Sequence, residues 1–153
     1  MTLRKPSKAF YLASVAALST GMGAFIIGLM NADMMLNEKG YYFAVFLFGL
    51  FAAVSVQKTV RDQMEGIRTT RIYLILCWVA LASAIALMVV GLVNADLQLS
   101  EQGFYGMAFV LSLFAAITVQ KNVRDQAGES CATNTGERMS SALSASYPDG
   151  VAD

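Results

Sequence analysis

The sequence predicts an all-α membrane protein: four transmembrane helices arranged as two parallel helical-hairpin repeats. Three observations carry this. Apolar residues make up 56% of the 153 and charged residues 14%, with a mean hydropathy of +0.54, whereas a soluble domain is typically about 25% charged. Ala9 to Met30 and Ile72 to Val93 are uncharged runs of about 22 residues, enough to cross roughly 30 Å of hydrocarbon at 1.5 Å per residue. The third is a duplication. Gly28 to Gln63 reads GLMNADMMLNEKGYYFAVFLFGLFAAVSVQKTVRDQ, and Gly91 to Gln126 reads GLVNADLQLSEQGFYGMAFVLSLFAAITVQKNVRDQ. The two align without a gap, identical at roughly 21 of about 36 positions, a self-similarity that marks a repeat architecture.

In chain order, residues 1–8 form a basic arm carrying Arg4, Lys5 and Lys8. Residues 9–63 are the first two-helix repeat. A basic start before an apolar run also describes a signal peptide. Against that reading, the run leads directly into the repeated stretch, so cleavage would remove part of one copy. NADMMLNEKG (31–40) is a short connection in which Asn37 is the expected N-cap and Glu38 complements the dipole of the next helix. The apolar run Tyr41 to Val56 is short for a span, but a helix from about Glu38 to Gln63 exceeds 30 Å. Gly66 ends it. Residues 64–71 form a linker with Thr69 and Thr70 as candidate caps. Residues 72–126 repeat the pattern through NADLQLSEQG (94–103). Residues 127–153, rich in Ser, Thr and Gly and poor in large apolar groups, are expected to be a disordered tail. Strands are not expected, because no period-two alternation is present.

Charge distribution sets the expected orientation. Arg4, Lys5, Lys8, Lys58, Arg61, Arg68, Arg71, Lys121 and Arg124 flank the ends bearing the termini and linker, whereas the two short connections hold Lys39 alone. By the positive-inside rule both termini and the linker are cytoplasmic. The repeats then enter from the same side, related by an axis along the membrane normal. A net charge of zero gives no basis for nucleic-acid binding. The absence of His removes the commonest proton shuttle and metal ligand, and Cys77 and Cys131 form no CxxC.

The motif GLxNAxxxLxExGxY, followed by an apolar run and QKxxRD, resembles the YiaA/YiaB family of small bacterial inner-membrane proteins. The likeness covers 28–63 and 91–126 directly and the preceding spans more loosely. It implies a four-span protein of the bacterial cytoplasmic membrane and brings no reaction, ligand or catalytic residue.

Two sets of polar residues stand out. At the outer rim are Asn31, Asp33, Glu38, Asn94, Asp96 and Glu101. Asn and Asp here serve as helix stops and turn formers; the sharper alternative pairs Asp33 with Asp96 at the mouth of a cation or proton path. At the inner rim are Gln57, Lys58, Arg61, Asp62, Gln120, Lys121, Arg124 and Asp125. Lys58 and Asp62 are spaced for an i,i+4 pair, and basic stems here snorkel to headgroups or hold anionic lipid or a partner's acidic segment. Stripes of small residues (Ala13, Ala17, Gly21; Ala80, Ala84; Gly49, Ala52, Ala53; Ser112, Ala115, Ala116) read as packing faces. Tyr41, Tyr42, Phe104 and Tyr105 read as an interfacial belt, and Cys77 as an apolar filler.

No nucleophile–base pair, phosphate loop or metal cluster is visible, so neither catalysis nor a cofactor is expected. The leading expectation is a non-enzymatic inner-membrane protein with a structural, partner-binding or stress-adaptation role. Its environment is lipid, and its partner a second copy or another membrane protein. The alternative is a small transporter or channel for protons or a small cation.

Overall fold

The computed structural model describes residues 8–146, with four helices and no strand among them: α1 (Lys8–Asn31), α2 (Leu36–Met64), α3 (Arg71–Asn94) and α4 (Leu99–Ser146). All four, α4 over Leu99–Asp125, are long and apolar enough to cross a membrane. Arg4, Lys5 and the chain end beyond Ser146 lie outside the described residues.

The helices do not pack in the order in which they are connected. α1 packs chiefly on α4, and α3 on α2. Within each hairpin the two helices touch much less, and α1 and α3 share no contact among the described residues. Because the second copy of α1 is α3 and that of α2 is α4, these contacts map onto each other by the repeat. The two hairpins are therefore open and clasp each other about a pseudo-two-fold axis between α2 and α4. Phe46 and its repeat equivalent Phe109 face each other at this axis, with ring centroids 6.3 Å apart. Phe25 stacks on Phe46 at 4.3 Å and meets Tyr105 edge-on at 5.7 Å. Its own equivalent is Met88, also buried.

Small residues decide where the helices cross. A Cβ on Gly21 would lie 2.6 Å from the Ser112 hydroxyl and 3.2 Å from the Ser112 nitrogen, so only a glycine lets α1 approach α4 this closely. Gly49, Ala52, Ala53, Ala84 and Ala115 are likewise buried. Ala13, in contrast, is exposed, so the stripe on α1 is only partly a packing face.

The ends of the helices depart from expectation in two places. Asn37 is not the N-cap of α2: the cap is Met35, and Asn37 is an exposed residue inside the first turn. The helix starts earlier, with the Glu38 carboxylate accepting the Met35 N–H at 2.9 Å, the return arm of a capping box. α2 does end as expected. Gly66 adopts φ +74°, with Gly66 N–H donating to the Gln63 carbonyl at 3.1 Å and Ile67 N–H to that of Asp62 at 2.9 Å, a Schellman stop. α4, where disorder was expected from residue 127, continues to Ser146. Extending a packed helix adds one hydrogen bond per residue without a new nucleus, and no proline intervenes before Pro148. Residues 134–142 on this overhang are exposed.

Candidate functional site

The repeated motif, consecutive in sequence, is divided in space. At the end of the bundle that carries the two short turns, Gly28 of the first copy receives the aromatic pair of the second: a Cβ there would lie 2.9 Å from Phe104 Cε1 and 3.2 Å from Tyr105 Cε1. Gly91 receives the pair of the first copy at 2.8 Å from Tyr41 Cε1 and 3.1 Å from Tyr42 Cε1. Tyr42 and Tyr105 are thus buried rather than part of an outward belt, while Tyr41 and Phe104 stay partly exposed. The belt reading failed because period alone cannot say which aromatics turn inward. Each glycine–tyrosine junction floors a recess built by both copies. One holds Asp33, Glu38, Tyr42, Asn94 and Asp96 and encloses about 510 Å³. Its smaller counterpart holds Asn31, Ser100, Glu101 and Tyr105.

Four of the six residues singled out at this rim close helix ends. Asn31 Nδ2 donates to the Ile27 carbonyl at 2.8 Å and Asn94 Nδ2 to that of Val90 at 2.7 Å. Glu38 accepts from Met35, and Glu101 accepts the Gln98 N–H at 3.0 Å. Lys39 adds its ammonium to the Met30 carbonyl at 3.0 Å, at the negative end of the α1 dipole. Asp33 and Asp96 are exposed and border the same recess.

At the opposite end, which carries the linker, ion pairs cross between copies reciprocally. Arg61 Nη1 is 3.3 Å from Asp125 Oδ1, and Arg124 Nη2 is 3.6 Å from Asp62 Oδ1. Asp62 therefore engages the other repeat and not Lys58, which is exposed like Lys121. Glu65 serves both guanidiniums, at 2.7 Å from Arg61 and 2.9 Å from Arg124; Gly128 occupies the equivalent place in the second copy. The hydrogen bond from Arg61, with Arg124 nearby, holds the Glu65 carboxyl below its ordinary value. The Gln57 and Gln120 side-chain oxygens, equivalent positions, are enclosed with no donor to them among the described residues.

Sequence reasoning missed one pair of contacts. Asn122, 1% exposed, donates to Ser14 Oγ at 3.1 Å, and Ser14 donates to the Phe10 carbonyl at 2.8 Å. The equivalent residues in the other half are Thr59 and Cys77, whose Oγ1 and Sγ lie 3.7 Å apart. Cys77 is thus buried against a hydroxyl rather than apolar filler alone. The signal available was a polar side chain recurring at corresponding positions (Asn122 with Thr59, Ser14 with Cys77) on otherwise apolar spans. Among the described residues no cluster of three or more His, Cys, Asp or Glu could hold a metal ion.

The profile of the yiaA/B two-helix domain matches twice, over residues 10–62 and 73–125. The chain belongs to the YiaA/YiaB two-helix family. Each match takes in one whole hairpin, so the family's unit is the hairpin and not the pair of helices that pack most closely here. Among relatives, the chain is 58% identical over 119 residues, 78% of this chain and 82% of the other, to "Inner membrane protein YiaA" of Escherichia coli (strain K12). It is 41% identical over 63 residues, 40% of this chain and 72% of the other, to "Uncharacterized membrane protein YubF" of Bacillus subtilis (strain 168). No solved structure matches the chain.

Proposed function

We propose that this YiaA/YiaB protein is a non-enzymatic, multi-pass protein of the bacterial cytoplasmic membrane, acting as a structural or partner-binding scaffold with its termini and linker in the cytoplasm. The observation that carries this is the employment of the repeated polar residues. Asn31, Asn94, Glu38 and Glu101 close helix ends, and Arg61, Asp62, Arg124 and Asp125 tie the repeats together. Between the two rims the buried polar side chains Ser14, Thr59, Ser112 and Asn122 are hydrogen-bonded within or between helices, as a packed interior requires. Lys58 and Lys121, left exposed, are placed to meet anionic headgroups at the cytoplasmic surface. The similarity to an inner-membrane protein of E. coli and the Lys/Arg asymmetry support the location and the orientation.

A second reading, transport of protons or a small cation, is favoured by one feature: Asp33 and Asp96 border a common recess at the outer end. Ion flux in proteoliposomes separates the two. Silence across protons and small cations is expected. Flux abolished by Asp33→Asn with Asp96→Asn would replace the scaffold with a pathway. A reporter fused after Asp153 tests the orientation: activity of a periplasm-specific reporter would reverse it.

A further inference from the structure

Reciprocal clasping makes the two hairpins behave as two subunits that happen to share a chain. α1 rests on α4 and α3 on α2, the aromatic pair of each copy fills the glycine notch of the other, and each arginine reaches the other copy's aspartate. Glu65 to Thr70 is the covalent link, and Gly66 within it has open space around it.

The two copies also differ in a complementary way. At the α1·α4 crossing Gly21 lies against Ser112, where a Cβ would come within 2.6 Å of Oγ. The repeat-equivalent positions are Ala84 and Gly49, both buried, and a Cβ on Gly49 would meet the Phe109 ring of α4 at 2.7 Å. The two glycines of the first hairpin thus admit residues of the second, Gly21 the Ser112 hydroxyl and Gly49 the Phe109 ring. Two copies of the second hairpin would set Ala84 against Ser112, the overlap that Gly21 avoids. Two copies of the first would set glycine against glycine and leave a gap. Glu65, whose place in the second copy is taken by Gly128, reaches both arginines where the first hairpin meets the second.

We propose that the inner faces of each hairpin form a docking surface whose occupant is the other hairpin of the same chain, recognised one to one through the Gly21–Ser112 crossing and the seating of Phe109 against Gly49. The covalent linker is dispensable for holding the halves together.

The test uses the full chain with a protease site inserted after Gly66, cleaved in native membranes and extracted in mild detergent, with a tag on the first half only. Recovery of the untagged half in equal amount is expected; separation of the halves after cleavage overturns the proposal. Gly21→Ala is expected to lower recovery about fivefold or more. Ser112→Gly added to it removes the hydroxyl that the new methyl would meet at 2.6 Å and is expected to restore recovery in part. No loss with Gly21→Ala, or no restoration by Ser112→Gly, overturns the recognition by complementary small residues. Where Gly21→Ala alone gives too little folded protein, the double variant still decides: it must be recovered intact after cleavage.

Discussion

The Tyr41 hydroxyl donates a 2.7 Å hydrogen bond to the backbone carbonyl of Leu87, one helical turn before Gly91. That carbonyl is reachable because Gly91 has no side chain between α3 and the tyrosine ring. The second copy has Phe104 at the corresponding place, so the bond joins the repeats on one side of the axis only. Tyr41→Phe is expected to cost about 0.6–1.5 kcal/mol, the range for single hydrogen bonds within lipid-exposed bundles. Phe104→Tyr supplies the missing hydroxyl and is expected to raise stability by a similar amount. Thermal unfolding in detergent reads both; equal stability of Tyr41→Phe and the parent would show that the bond carries nothing.

Gly91→Ala tests the notch itself. The added methyl meets Tyr41 Cε1 at 2.8 Å and Tyr42 Cε1 at 3.1 Å, and neither ring can retreat freely, since one is hydrogen-bonded and the other buried. A loss of about 1–3 kcal/mol is expected, partly recovered by shrinking Tyr41 to Leu. Gly40→Ala, with open space around it, is the control and should leave the melting temperature unchanged or raised.

Asn122→Ala removes the donor to Ser14 from an enclosed site and is expected to cost about 1–3 kcal/mol. Gln57→Met and Gln120→Met should instead be neutral or slightly stabilising, because each removes an enclosed oxygen that receives no hydrogen bond from the described residues. A clear destabilisation by either glutamine variant would show that its oxygen is occupied in the membrane.

Acid should loosen the linker end. Glu65 has its pKa lowered from 4.5, chiefly by the Arg61 hydrogen bond and further by Arg124. A carboxyl lowered in the folded state contributes stability that is complete above its unfolded value and disappears as pH falls through the folded one. The melting temperature should therefore drop with acidification below about 4.5, and Glu65→Gln should lower it at neutral pH but not in strong acid. A difference between parent and Glu65→Gln that persists in strong acid would rule out this carboxyl as its source.

The overhang of α4 past Gln126 should prove locally unstable although helical. It has no buried side chain at 134–142 and contains Gly128 and Gly136, each costing about 1 kcal/mol relative to alanine. Amide exchange there is expected to be orders of magnitude faster than in Leu99–Asp125. Deletion of residues 130–153 should leave insertion and melting unchanged. Slow exchange would show that something docks on this segment.

The span positions and the duplication were legible because length, charge and self-similarity are properties of the chain alone. Partner choice was not. In water an apolar stripe points to the core, but these helices are apolar on nearly every face, and lipid rewards an exposed Ile27 as well as it does a buried Phe25. Hairpin neighbours in sequence were therefore natural candidates for contact, and the pairing of α1 with α4 could not be read. The same ambiguity sent Tyr42 and Tyr105 to the surface and paired Asp62 with Lys58. What could have pointed inward is the glycine at 28 and 91, kept with an aromatic pair thirteen residues on in each copy.

The crossed pairing also bears on how the protein is made. α1 leaves the ribosome first, yet the helix it rests on, α4, is synthesised last. The nascent first helix must wait in the bilayer with Gly21 and Ser14 uncovered, so insertion and assembly are separate events. A translation product that stops short of α4 would strand α1 without its mate, and such half-built chains present a ready mark for membrane quality control.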